Sequence, residues 1–185
     1  MYSANDALAL SDRLVKFLKR GVHNTHGQEE WTQRNFELLR AFAEEIDSQS
    51  YPSAKNAPPE EKAKQFLWDF IAHQPDEGIS IAVESEHNSS KKAILEDFEK
   101  LLYVRSPVKL MMCRVAGEPD ALRIRGWAQK FMEQKCTRYS PGEVFVLYCV
   151  YWSGEGLHNR DFAFRLQVKG EIDYRKSDSE KFEHI

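Results

Sequence analysis

The sequence predicts an α/β protein, with a mixed central sheet of about five strands flanked by helices. Apolar residues recur at helical spacing in four segments, and short runs rich in β-branched and aromatic residues lie between them. In the second half of the chain, helices alternate with these strand-like runs, which is typical of a sheet covered on both faces. With 185 residues, 42% of them apolar and 30% charged, the chain suits one domain with a substantial core.

The first part of this domain, residues 1–47, is predicted to be helical and to pack on the sheet. Its two helices cover residues 5–20 and 29–47, where apolar side chains fall on one face. Gly21 is a plausible stop for the first helix. Residues 48–62 contain three prolines together with Ser and Asn, so we expect a loop there.

The remaining chain is predicted to contain a central core over 65–115 and C-terminal strands over 143–175. The predicted strands are 65–72, 79–86, 108–115, 144–152, 161–168 and a last short one at 172–175, and the predicted helices are 91–103 and 119–134. The short link between the first two strands implies an antiparallel hairpin. The strand–helix–strand step that ends at residue 115 implies a parallel crossover.

Three carboxylates lie in otherwise apolar, strand-like runs of this hairpin: Asp69, Glu84 and Glu86. If the turn centres between residues 76 and 77, Asp69 is paired with Glu84, and their side chains share a face. Glu86 lies two residues further along, so alternation places it on that face as well. Such acids repel one another unless a hard cation such as Mg²⁺ binds between them. The alternative is that Asp69 ends a strand at the surface, while Glu84 and Glu86 line an exposed face of the sheet.

The spacing of these acids resembles the PD-(D/E)xK nuclease superfamily, which has the restriction-endonuclease-like fold. Asp69 matches the first acid of the motif, and Glu84 matches the second. Glu86 stands where the family usually has lysine, and Trp68 stands where it usually has proline. The segment from Ala82 to Met112 also looks like uncharacterised bacterial members of the superfamily, and the resemblance covers roughly residues 30–115.

The resemblance implies a nuclease that hydrolyses phosphodiester bonds, with DNA rather than RNA as the expected substrate and Mg²⁺ or Mn²⁺ as cofactor. Asp69, Glu84 and Glu86 would bind the metal. An acid from the preceding helix often joins them in this family, and Glu37, Glu44 and Glu45 are the candidates. Glu37 lies nearest that helix's apolar stripe. Glu37 is otherwise an ordinary solvated residue of the helix.

A lysine that polarises the attacking water is the remaining part of such a site. Lys109 interrupts a buried strand and needs a carboxylate partner or a wet cleft, so we place it among the catalytic candidates. The alternative for Lys109 is a structural ion pair. Lys92 begins the helix that follows the Glu86 strand, whereas Lys100 lies roughly opposite that helix's apolar stripe and is expected to face solvent.

Charge and cysteine content limit the partners. The net charge of −3 does not indicate a general polyanion binder, although residues 105–138 carry 8 Lys/Arg against 3 Asp/Glu and could face a phosphate backbone. Three scattered cysteines without a CxxC pair indicate neither a zinc site nor a disulfide framework. Without a signal peptide or membrane-spanning stretch, the sequence favours a reducing cytoplasm. No oligomeric state can be predicted.

Two functions therefore compete. The first is a Mg²⁺-dependent nuclease that uses Asp69, Glu84 and Glu86. The second is a catalytically inactive module of the same fold that binds a protein or nucleic-acid partner, as the departure from lysine at position 86 suggests.

Overall fold

The computed structural model describes residues 3–21, 28–52, 68–135, 142–151 and 161–166, which form four helices and six strands. The helices are α1 (Ala4–Arg20), α2 (Gln28–Glu45), α3 (Lys91–Tyr103) and α4 (Glu118–Lys135). The strands are β1 (Gln49–Pro52), β2 (Phe70–Gln74), β3 (Gly78–Glu86), β4 (Val108–Val115), β5 (Val144–Tyr151) and β6 (Phe162–Leu166). The predicted α/β class with a mixed sheet is confirmed.

All six described strands belong to one sheet, and their order across it follows the chain from β1 to β6. The β2–β3 hairpin is antiparallel, as its short link predicted, and β1 and β6 add antiparallel edges. The central strands β3, β4 and β5 are parallel. Helix α3 connects β3 with β4, which confirms the predicted parallel crossover.

The sheet separates two hydrophobic cores. On one face, α1 and α2 cover alternate strand residues such as Val83 and Leu110. On the other face, α3 and α4 cover the intervening residues, such as Ala82 and Met111. Because strand side chains alternate between faces, each residue's position along β3 or β4 determines which helix layer it meets.

Local sequence signals explain how the helices begin and approach one another. Ser3 and Asp6 form a capping box at the start of α1, and Ser90 Oγ accepts a hydrogen bond from Ala93 N at the start of α3. Gly21 follows α1, and a Cβ atom placed there would lie 2.7 Å from Leu38 Cδ1. Glycine therefore allows the end of α1 to approach α2 closely.

The structure differs from the prediction at two strands. Strand β1 lies in a segment that the sequence predicts to be a loop. Its residues show no alternation of apolar and polar side chains that would indicate a strand, and it is defined by its pairing with β2. Strand β2 begins at Phe70 rather than at residue 65. The predicted strand at 172–175 lies outside the described residues.

Candidate metal centre

The β2–β3 hairpin brings Asp69 and Glu84 to neighbouring positions. Phe70 pairs with Val83 in the ladder, and continuing this register by one residue places Asp69 opposite Glu84. The Asp69 carboxylate contacts the backbone of β3, where its Oδ2 accepts a hydrogen bond from Ser85 N at 3.0 Å. The register thus agrees with the pairing expected from the sequence.

A β-bulge sets this register. Ala72 pairs with Ile81, but His73 pairs with Ile79, so Ser80 is an extra residue in β3. The buried hydroxyl of Ser80 donates a hydrogen bond to the carbonyl oxygen of Ala72 at 3.1 Å. The bulge offsets the position of the turn by one residue, and without it Asp69 and Glu84 would not be in register.

Glu84 and Glu86 extend from β3 towards the layer of α3 and α4. Both alternate in phase with Ala82, which belongs to the core on that side. The side chain of Glu84 has 0% of its surface exposed. A carboxylate buried to this degree is costly unless it is paired.

Only one of the two carboxylate oxygens of Glu84 has a hydrogen-bond partner among the described residues. Its Oε2 lies 3.1 Å from Lys100 Nζ, whereas its Oε1 is buried and has no hydrogen-bond partner among the described residues. Burial, followed by the negative charge of Asp69, raises the pKa of Glu84 to about 8 despite the opposing effect of Lys100. Sites that bind or transform charged ligands commonly hold groups perturbed in this way.

Lys100 was predicted to face solvent, but it contacts the buried Glu84. Its Nζ contacts both Glu84 and, at 2.7 Å, Asp97 Oδ1 on the preceding turn of α3, and 35% of its side chain is exposed. Burial opposes its charge, but the hydrogen bonds to Asp97 and Glu84 outweigh burial and raise its pKa. Lys100 flanks the apolar stripe of α3 on the side of β3, so its long stem reaches the strand rather than solvent. The Asp97–Lys100 spacing of three residues was the available signal.

Asp97 is a fourth acid in this cluster, also missed from the sequence. It lies close enough to Glu86 to hydrogen-bond with it. Burial first, and then this neighbouring acid, raise the pKa of Glu86, while a hydrogen bond of 2.6 Å from Asn88 N to Glu86 Oε1 acts in the opposite direction. We call Asp69, Glu84, Glu86, Asp97 and Lys100 the carboxylate–lysine cluster.

Lys109 does not occupy the role expected of it. It faces the same side of the sheet, but its Nζ lies 2.7 Å from Glu143 Oε2 and 4.7 Å from the centre of the Phe145 ring. Lys109 aligns with Ala82 across the sheet, whereas Glu84 aligns with Met111 further along β4. The structure therefore shows the alternative interpretation, a buried ion pair with an acid that precedes β5.

Glu37 lies on the wrong side of the sheet for a metal ligand. Helix α2 contributes Phe36, Leu39 and Phe42 to the core beneath α1, opposite the layer that contains α3. Glu37 itself is exposed and accepts a hydrogen bond from Gln33 Nε2 at 3.0 Å. The expectation that it joins the acids of β3 is corrected by this layering. Lys92 is an exposed surface residue: 85% of its side chain is exposed, and its Nζ pairs with Glu96.

Among the described basic residues of 105–138, Lys109, Arg114 and Arg123 do not share one face. Lys109 is buried, and Arg123 lies 2.8 Å from Asp120 and stacks near Trp127. Arg114 extends from β4 on the side opposite Cys113 and lies 3.1 Å from His87 Nε2. Their directions diverge, and Arg138 lies outside the described residues.

The donor types in the cluster fit a hard divalent cation. Mg²⁺ takes oxygen ligands and commonly needs only one or two carboxylates from the protein, with water and phosphate completing its shell. Asp69 and Glu84 would supply these carboxylates, and Glu86 lies on the same face. In the geometry shown by the described residues, however, no three His, Cys, Asp or Glu side chains are gathered closely enough to hold a metal ion.

Comparison with models of protein families, with curated proteins and with solved structures finds no match for this chain. Within the described ranges, no helix has the length and apolar character needed to cross a membrane. Fold and site together define an α/β protein whose mixed sheet carries the carboxylate–lysine cluster, with Glu84 buried, between the β2–β3 hairpin and α3.

Proposed function

We propose that this protein is a nuclease of the restriction-endonuclease-like kind that depends on Mg²⁺ or Mn²⁺ and hydrolyses phosphodiester bonds, with DNA as the expected substrate. One observation carries the proposal: the fully buried Glu84 keeps one carboxylate oxygen without a partner among the described residues, and burial, followed by the like charge of the nearby Asp69, raises the pKa of Glu84. A bound cation would satisfy that oxygen and offset the repulsion between the two acids.

The energetic argument favours a ligand over a purely structural role. An unpaired, buried polar atom costs about 1–3 kcal/mol, and more when the group is charged. Glutamine at position 84 would avoid the charge, and an apolar residue would extend the core formed by Ala82 and its neighbours. A carboxylate at this position therefore reduces the stability of the metal-free fold, as is common for groups kept for binding or catalysis.

The chain's own residues divide the work as follows. Asp69 and Glu84 would hold the ion, and Glu86 would complete the acidic side of the site or orient water. When bound, the ion would lower the pKa of a coordinated water and offset charge on the phosphoryl group. Lys100, held by Asp97, would bring a compact positive charge to the site, where it stabilises negative charge on a phosphate oxygen. In this scheme Lys100, rather than Lys109, supplies the lysine of the motif.

A second function is favoured by one specific observation. Lys100 already neutralises Glu84 in part, and the described residues contain no gathered three-ligand group. A catalytically inactive module that binds a protein or nucleic-acid partner would use the same fold without metal.

Cleavage assays separate these functions. Supercoiled plasmid, single-stranded DNA and RNA are each incubated with the protein and Mg²⁺ or Mn²⁺, with a chelator as the negative condition. We expect metal-dependent cleavage that falls on the order of a thousandfold in Asp69→Asn, since the ion contributes several kcal/mol to transition-state stabilisation. Glu37→Gln, a matched acid on the opposite side of the sheet, should cleave like the wild type.

Cleavage that survives Asp69→Asn would refute the site. The absence of both cleavage and Mn²⁺ binding in the wild type would favour the inactive module.

A further inference from the structure

We propose that Lys100 is an internal counter-cation of the site. Its ammonium group pairs with both Glu84 and Asp97 in the metal-free protein, and it pairs with Asp97 alone when a divalent cation binds Glu84 and Asp69. This inference rests on the proposed metal-dependent function. It assigns to Lys100 control over metal affinity, in addition to any part in cleavage, and it makes Asp97 a positioning residue.

The ammonium already has two carboxylate partners. Lys100 Nζ lies 3.1 Å from Glu84 Oε2 and 2.7 Å from Asp97 Oδ1. Asp97 is three residues earlier in the same helix, so this second pair needs no change in tertiary structure to persist. Loss of the Glu84 contact would therefore leave the lysine charge paired.

Lys100 contacts only one oxygen of Glu84, and the other oxygen is left for a second cation. Lys100 contacts Oε2, while Oε1 is buried without a partner among the described residues. Four acids (Asp69, Glu84, Glu86 and Asp97) share one ammonium, so Lys100 cannot neutralise the cluster once all four are ionised. A divalent ion adds the charge that is lacking, and it competes with Lys100 for Glu84 because both are cations within a few ångströms.

The backbone around this lysine is anchored, so that only its side chain would need to move. Trp68 Nε1 donates a hydrogen bond to the carbonyl oxygen of Lys100 at 3.1 Å, in the last turn of α3. Trp68 precedes Asp69, which is itself fixed to Ser85 N. The segment with the first acid and the helix with the lysine are thus tied together, while the four-carbon stem of Lys100 remains free to change rotamer.

Metal binding to paired variants tests the inference. The affinity for Mn²⁺ alone is measured by titration calorimetry, with thermal unfolding of each variant as a second readout. Lys100→Met removes the competing charge and should tighten Mn²⁺ binding on the order of tenfold or more. Asp97→Asn removes the second carboxylate partner, keeps the ammonium on Glu84, and should weaken binding about tenfold, as loss of a supporting contact does.

Lys92→Met is the matched control, because it removes an exposed lysine from the same helix. Its Mn²⁺ affinity should equal that of the wild type. If Lys100→Met does not fold, Lys100→Gln replaces it with the same expected sign. Tighter Mn²⁺ binding combined with slower cleavage in the Lys100 variant would support both roles of this residue.

The outcomes separate the two proposals. Unchanged or weaker Mn²⁺ binding in both Lys100 variants would overturn the counter-cation role, while metal-dependent cleavage by the wild type would leave the proposed function intact. If neither the wild type nor any variant binds Mn²⁺ or cleaves, the proposed function fails, and the inference fails with it.

Discussion

Two lysine–glutamate ion pairs lie on the same side of the sheet, and they are built in opposite ways. In the pair Lys109–Glu143 the lysine is buried, with 2% of its side chain exposed, and the acid keeps 12% of its surface. In the pair Lys100–Glu84 the acid has no exposed surface and the lysine keeps 35%. The first pair buries its basic partner, whereas the second buries its acidic partner.

The surroundings stabilise the charge of the first pair's buried residue and destabilise the charge of the second pair's buried residue. Lys109 also lies against the face of Phe145, which stabilises a buried cation. Glu84 instead has the acid Asp69 beside it and an oxygen without a partner in the described part of the chain. A closed pair of balanced charge is typical of structure, and an open cluster with surplus negative charge is typical of a site that takes a ligand.

The largest expected difference between the two pairs is in cleavage. Glu84→Gln removes a metal-binding carboxylate and should reduce metal-dependent cleavage on the order of a thousandfold or more. Glu143→Gln removes the acid of the structural pair and should leave the cleavage rate near that of the wild type, provided that the assay is run well below its melting temperature. Equal losses in the two variants would remove the functional distinction.

The next effect is on stability and its dependence on pH, measured in chelator. The pKa of Glu84 rises from an ordinary 4.5 to about 8 on folding. Between these values the native state therefore holds more protons than the unfolded state, and this residue's contribution lowers the free energy of unfolding as pH rises. Relative to the wild type, Glu84→Gln should gain stability progressively from pH 5 to pH 8, by up to about 4 kcal/mol, and no further above that.

Urea unfolding of wild type and Glu84→Gln across this pH range measures the difference directly. Taking the difference between the two proteins cancels the titration of groups that do not interact with Glu84, such as His87, whose pKa burial lowers. A constant difference at all pH values would show that Glu84 is not perturbed.

Glu143→Gln should have the opposite sign of effect on stability. It leaves the ammonium of Lys109 buried without its acid, and breaking a buried pair in this way costs about 3 kcal/mol. Urea unfolding at neutral pH would measure the loss, and Lys109→Met in the same background should recover part of it, because the unpaired charge is then absent. If Glu143→Gln is as stable as the wild type, the pair does not contribute to the fold.

The sequence sufficed to place Glu84 and Glu86 on one face and to expect Asp69 near them, because this arrangement depends on local structure. A short link between two apolar runs fixes an antiparallel hairpin, and the alternation of side chains then fixes which residues share a face. The bulge at Ser80 could not be foreseen, yet it offset an error of one residue in the assumed turn position. The parallel step through α3 followed from the strand–helix–strand order.

The partners of those acids depend on tertiary structure, and there the sequence was insufficient. Glu143 meets Lys109 only because β4 and β5 align Val108 with Val144, which no local pattern reveals. Glu37 was assigned to the site because its helix precedes the hairpin, but α2 packs on the other face of the sheet. Lys100 was placed in solvent by helical phase, which does not account for the reach of a long side chain beside the apolar stripe.

The smallest effect concerns the hydrogen bond that ties the two halves of the site together. Trp68→Phe keeps an aromatic ring but removes the donor to the Lys100 carbonyl, which should cost about 1 kcal/mol of stability. Since Trp68 positions both Asp69 and the last turn of α3, Mn²⁺ affinity should also fall severalfold. Trp127→Phe, the same change in another half-buried tryptophan of this helix layer, should alter stability without altering metal affinity. Equal metal affinities in the two tryptophan variants would show that the Trp68 contact supports the fold but not the site, and the Lys100 pair would then resemble the Lys109 pair more closely than its open carboxylate suggests.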